Sequence, residues 1–238
     1  MKQTKMIKNF FPNKIISLSN KFIGNLSALV VVLFITGLIY SLIISPSDFV
    51  QGDSVRIMYV HVPSSFLALG CFGFIGVFSI FNLVFKIKFL TLAAKSLAPI
   101  GLLFALISIV TGSLWGKPTW GIWWVWDARL TSMLILFSFY LFYIGSWKLI
   151  ENFDTANKIS SFIAILGSLN LPVIKYSVDW WNTLHQPSSI TLTSAPTIHY
   201  SMLIPLIIMC LAMAIYCLNI FLMRYKIELM KFKLKNKK

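Results

Sequence analysis

The chain has 238 residues, of which 58% are hydrophobic and 12% charged, with a mean hydropathy of +0.80. A soluble domain of this size keeps too much of itself at its boundary to hide so much apolar surface, so composition excludes an ordinary soluble fold and indicates a membrane protein. The formal net charge of +14 does not point to nucleic acid, because the lysines gather at the termini and in short links between apolar runs, where anionic lipid is the natural partner.

Six apolar stretches approach or reach the roughly 20 residues that a helix needs to cross a bilayer. In chain order they cover approximately 25–45, 62–85, 96–115, 130–147, 159–178 and 199–223. The fourth is short, and the fifth carries Asn170, Pro172 and Lys175. Backbone polar groups in lipid must be satisfied within the segment, so these are helices. The first run is too long for the apolar region of a secretory signal and lacks a small-residue cleavage pattern after it, so it stays as a spanning helix. The fold class expected is all-α, a polytopic membrane protein with six transmembrane helices forming one domain over 1–238.

Sidedness follows from lysine and arginine. With six crossings, the N-terminus, the 86–95 link, the 148–158 link and the tail share one side and hold 17 basic residues, against 4 on the other. The positive-inside rule places both termini in the cytoplasm and leaves loops 46–61, 115–129 and 179–198 outside. The basic tail reads as a lipid-facing anchor.

Cys71, Cys210 and Cys217 fall inside predicted helices and form no CxxC pair, so a small-hydrophobe role fits them better than redox chemistry; CxxCH, the covalent haem signature, is missing. The outer loops carry more information. His61 lies in "YVHVPSS" at the start of the second span, His185 in "WWNTLHQ" in the third loop, and His199 at the start of the sixth span. Between the first two lies "WGKPTWGIWWVWD", residues 115–127, with five of the eight tryptophans. Tryptophan favours the headgroup zone, where its ring rests in apolar surroundings and its N–H stays wet; Trp147 reads as such a belt residue. Five in one loop exceed that habit. A helix over 118–127 would bring Trp120, Trp123, Trp124 and Asp127 to one face and expose an aromatic platform external to the membrane.

A flat, aromatic, amphiphilic ligand suits that platform. Haem fits, because its iron takes imidazole nitrogen and its propionates take cations. His61 and His185 could approach from opposite ring faces, Arg129, Arg56 and Lys117 could pair with propionates, and Asp127 could fix an imidazole tautomer or an indole N–H. The residues alone leave other readings open: a secondary transporter for a small anion, a b-type electron carrier, or a structural assembly subunit without haem. A transporter would place charge near the midplane, where Asn170, Pro172 and Lys175 are the nearby candidates.

The run from Trp115 to Asp127 resembles the tryptophan-rich signature of membrane proteins that handle haem in cytochrome c maturation. Every fixed position is filled, by Trp115, Gly116, Trp120, Gly121, Trp124, Trp126 and Asp127. One histidine on either side of the signature and the small helix count make the chain similar to the haem exporter protein C family, over roughly 46–215. That resemblance implies non-covalent, transient binding of haem b at the outer face of a bacterial inner membrane, or of a mitochondrial one. It implies His61 and His185 as iron ligands and delivery to a periplasmic haem chaperone. The implied partners are ABC-type transporter subunits and a small membrane subunit, and no enzymatic step is implied. His199 matches no ligand and is read as structural.

Overall fold

The computed structural model describes residues 2–181, 183–185 and 195–235, without the side chains of residues 2–15 and of Leu18. Part of the expected third outer loop, 179–198, therefore lies outside the described residues. The described chain is a bundle of helices: α1 (Lys2–Ile39), α2 (Met58–Phe85), α3 (Lys88–Trp120), α4 (Ala128–Leu149), α5 (Phe153–Ser168), α6 (Asn170–Trp180) and α7 (Tyr200–Lys235). A π-helical turn, Tyr40–Ile44, extends α1, and a 3₁₀ turn, Asp53–Ile57, leads directly into α2. Among the described residues, six helical segments are long and apolar enough to cross a membrane; α5 and α6 together make one of them.

Small residues let these helices approach. With no hydrophobic drive between helices in lipid, close packing and polar contacts must hold them. Gly101 on α3 leaves room for the Tyr140 ring of α4, whose hydroxyl donates to the Ala68 carbonyl of α2 at 2.6 Å. Gly167 on α5 receives Phe72 and Phe139 in the same way. Phe72, Ile75, Phe104, Leu136 and Tyr140 are fully buried and form the centre of the core. Cys71 and Cys217 face each other there across α2 and α7, with their sulfurs 3.7 Å apart. α1 packs on α7, joined by Asn219 donating to Ser27 at 2.9 Å, and leaves Val31, Val32 and Ile35 exposed as a lipid-facing helix must.

Three boundaries differ from expectation. α3 does not stop at residue 115 but runs 33 residues, Lys88–Trp120, about 50 Å at 1.5 Å per residue and well beyond a hydrocarbon core of about 30 Å. It ends where Gly121 turns left-handed at φ 78°, so residues 121–127 are irregular and the expected helix over 118–127 does not form. α4 starts at Ala128 and ends at Leu149, which makes the fourth span longer than its apolar run. The fifth span breaks at Leu169. Pro172 explains the break: it has no N–H for the Ser168 carbonyl, and its ring would crowd that oxygen. Asn170 bridges the break to α4 by donating to the Ser132 carbonyl at 2.7 Å.

Candidate functional site

His61 stands in the first turns of α2, against α3. A stripe of small and polar residues on α3 receives it: Ser108, Thr111, Gly112 and Trp115, at the i, i+3, i+4, i+7 spacing of one helix face. Its Nδ1 lies 3.1 Å from both the Ser108 carbonyl and the Thr111 hydroxyl. A carbonyl only accepts, and Thr111 gives its own proton to Ile107, so Nδ1 carries the hydrogen and donates it. The neutral ring is thereby held with a lone pair on Nε2. A Cβ on Gly112 would stand 3.0 Å from the ring, which marks how closely α3 approaches.

His185 arrives from beyond α6 and reaches the same tautomer by another route. Its Nδ1 lies 2.8 Å from Oδ2 of Asp127, and an ionised carboxylate can only accept. The other oxygen of Asp127 accepts from the Leu130 N–H at 2.8 Å and caps α4. Burial pushes the His185 imidazole below its usual range and outweighs the opposing pull of the Asp127 bond, so the ring is neutral at pH 7. Again Nε2 keeps its lone pair.

Two tryptophans connect these imidazoles through α3. Trp115 meets His61 edge to face at 5.7 Å, and Trp120 meets His185 edge to face at 4.7 Å. The Trp115 N–H donates to Gln51 Oε1 at 2.7 Å, which anchors it to the segment between α1 and α2. His61 also lies within electrostatic reach of His185.

The other tryptophans do not share a helix face. Trp123 and Trp126 are 55% and 76% exposed in the irregular stretch after Gly121, with Trp124 packed edge to face on Trp126 at 5.6 Å. Trp124 is partly covered, and its buried Nε1 has no acceptor among the described residues. A buried donor without a partner is rare and costly, so this N–H is suited to an incoming acceptor.

The three cations expected near propionates are divided. Arg129 lies within electrostatic reach of both imidazoles and touches α6 through Ser177 and the Lys175 carbonyl, at 3.4 Å each. Arg56 instead donates to the Ser41 and Leu42 carbonyls at 3.0 and 2.7 Å and pairs with Asp53, closing the end of the first span. Lys117 donates to the Gly121 carbonyl at 2.9 Å and lies 6.0 Å from the Trp123 ring centre, at the C-terminal end of α3 where a cation is favoured. His199 bonds to Ser201 beside α7.

Sequence reasoning missed Gln51, Ser108 and Thr111. The α3 stripe was detectable as small polar residues at helical spacing ending on a tryptophan. Nothing in the sequence marked Gln51, whose role depends on where the loop folds.

Two neutral imidazoles, each fixed at Nδ1, are suited to a transition metal, since ligating histidines habitually give their other N–H to a carbonyl or carboxylate. The aromatic surroundings and the free indole N–H fit an iron porphyrin bearing carboxylates. The fold defines a multi-pass helical membrane protein that gathers the five tryptophans of its 115–127 segment and two of its histidines at one end of the bundle. The sequence profile of the family described as heme exporter protein C matches residues 6–238, and the chain belongs to that family. It is 40% identical over 204 residues to heme exporter protein C of Bradyrhizobium diazoefficiens, covering 86% of this chain and 77% of the relative. It is 44% identical over 180 residues to heme exporter protein C of Haemophilus influenzae, covering 76% and 73%. A cytochrome c biosynthesis ccmC-like mitochondrial protein of Marchantia polymorpha is 48% identical over 169 residues, 71% of each chain.

Proposed function

We propose that this protein holds haem b as transient, non-covalent cargo at the outer membrane boundary and passes it on for assembly of c-type cytochromes. The observation that carries the reading is the common tautomer: the Ser108 carbonyl and the Asp127 carboxylate each accept a hydrogen bond from an Nδ1–H, leaving two Nε2 lone pairs from different segments. Haem iron supplies two axial positions for such nitrogens. Trp115 and Trp120 steady the two imidazoles, while Trp123, Trp124 and Trp126 give aromatic surface beside them. The Trp124 N–H and the Arg129 guanidinium answer the propionates, with Arg56 and Lys117 securing the helix ends around the site. Family membership and the names of the relatives support the cargo and the pathway.

The lysine and arginine distribution supports both termini in the cytoplasm, which puts the imidazoles outside, in the periplasm for a bacterium. The recipient is then a periplasmic haem chaperone, and the partners implied by the family are ABC-type transporter subunits and a small membrane subunit. A handover protein must grip and release, and ligands from two separate segments permit one to let go first.

The absorption spectrum of the purified protein tests this. A Soret band is expected that falls at least about tenfold in His61→Ala and His185→Ala, because each removes an axial nitrogen whose loss also frees its partner groups. His199→Ala should retain it. A band indifferent to both replacements, or no haem in any preparation, would sink the reading and favour an assembly scaffold or an anion carrier.

A further inference from the structure

The end of the bundle opposite the imidazoles contains a cavity lined by aromatic rings and lysines. α4 is capped by Asp127 at its start and carries Trp147 in its last turn, which separates the two places by about 30 Å. A cavity of about 250 Å³ opens there between α3, α4, the start of α5 and the C-terminal part of α7. Its wall is aromatic: Phe153 packs on Trp147 at 5.4 Å and on Phe232 at 5.5 Å. Its rim is basic, with four lysines, Lys95, Lys148, Lys231 and Lys235, against two glutamates, Glu151 and Glu228.

These charges are not all committed. Glu228 is nearly buried and pairs with Lys95 at 2.9 Å and Lys231 at 3.2 Å, so its carboxylate is satisfied. Lys95 is fixed further by the Trp147 ring, 5.1 Å away. Lys148 and Lys235 are exposed and carry no ion pair among the described residues. Leu149 and Leu234 project beside them, 85% and 67% exposed, which suits acyl chains rather than water. Trp147 is thus more than a boundary tryptophan, because its ring forms part of the wall of a charged cavity.

We infer that this cavity is a binding site for the headgroup of an anionic phospholipid, its phosphodiester held by Lys148 and Lys235 and its glycerol and upper acyl carbons lying on the Trp147–Phe153–Phe232 wall. Complementarity selects the ligand. The rim has excess positive charge, which disfavours a headgroup bearing its own ammonium. Its place in the last turn of a spanning helix is the headgroup layer, where basic pockets between helices select anionic lipid. A soluble anion would use the lysines and leave the aromatic wall uncovered.

The test uses the full chain purified in a neutral detergent, with phosphatidylglycerol, phosphatidylcholine or inorganic phosphate added, and retained lipid counted by native mass spectrometry alongside the thermal unfolding midpoint. Phosphatidylglycerol should be retained and raise the midpoint, while phosphatidylcholine and phosphate do neither. Lys148→Glu combined with Lys235→Glu should cut retention about tenfold or more, since each lysine near the surface contributes about 1 kcal/mol. Neither side chain supports the fold through an ion pair, and each variant's midpoint without lipid checks that. The same charge change placed elsewhere, Lys21→Glu with Lys158→Glu, should leave retention unchanged. Equal retention of phosphatidylcholine, stabilisation by phosphate alone, or equal loss in both double variants would overturn the assignment.

Discussion

At the scale of single residues, the site depends on which ring nitrogen holds a proton. Asp127 decides this for His185, and an isosteric change isolates the effect. In Asp127→Asn, the amide oxygen can still cap α4, because asparagine caps as well as aspartate. Its NH₂ then faces Nδ1 and favours the tautomer protonated at Nε2, which has no lone pair for iron. Haem affinity should fall about 10- to 100-fold while the unfolding midpoint moves little. Asp127→Ala loses the cap as well and should cost about 1 kcal/mol in addition. Haem titration and thermal unfolding of the two variants separate these effects; equal affinity in Asp127→Asn and the parent would refute the tautomer argument. The polar residues around His61 follow the same logic, with the Ser108 carbonyl in the place of the carboxylate.

At the scale of elements, close approach of helices is the limiting condition. A Cβ at Gly101 would run into the Tyr140 hydroxyl and displace it from the Ala68 carbonyl. Gly101→Ala should destabilise by about 1–3 kcal/mol through overpacking. Gly70→Ala, with nothing within 4 Å, should be neutral or stabilise by about 0.5–1 kcal/mol because helix interiors favour alanine. Thermal unfolding in detergent reads both, and similar shifts for the two glycines would remove the packing argument. The spans themselves were legible in the sequence, since each carries a long apolar window. The end of α3 was not. The apolar run stops at residue 115 and a new helix was expected from 118, yet α3 continues through Gly116, which is small because the Trp120 ring lies 3.1 Å from where its Cβ would be, to the left-handed Gly121. Likewise the basic character of Arg56 and Lys117 was visible, whereas the carbonyls that hold them are set by how helix ends are placed in space. His61, His185 and Asp127 could be singled out because their chemistry is carried by residue type; the bond joining His185 to Asp127 spans 58 positions and is a product of the fold.

At the scale of the whole molecule, charge distribution makes a sidedness prediction. Val50 lies 88% exposed in the segment between α1 and α2, and Lys158 is exposed on α5 near the opposite end. In intact cells, a membrane-impermeant maleimide should label Val50→Cys and should label Lys158→Cys only after permeabilisation; the reverse pattern would invert the orientation. The interruption at Leu169 bears on how such a bundle could yield its cargo. One imidazole is wedged between two continuous helices, each longer than the bilayer is thick. The other follows α6, eleven residues joined to α5 through Leu169 and tied to α4 by Asn170 on the Ser132 carbonyl and by Arg129 on Ser177 and the Lys175 carbonyl. Loss of a bound haem is therefore expected to begin at His185, whose short supporting segment has fewer partners to leave, and faster hydrogen exchange in α6 than in α2 would check it.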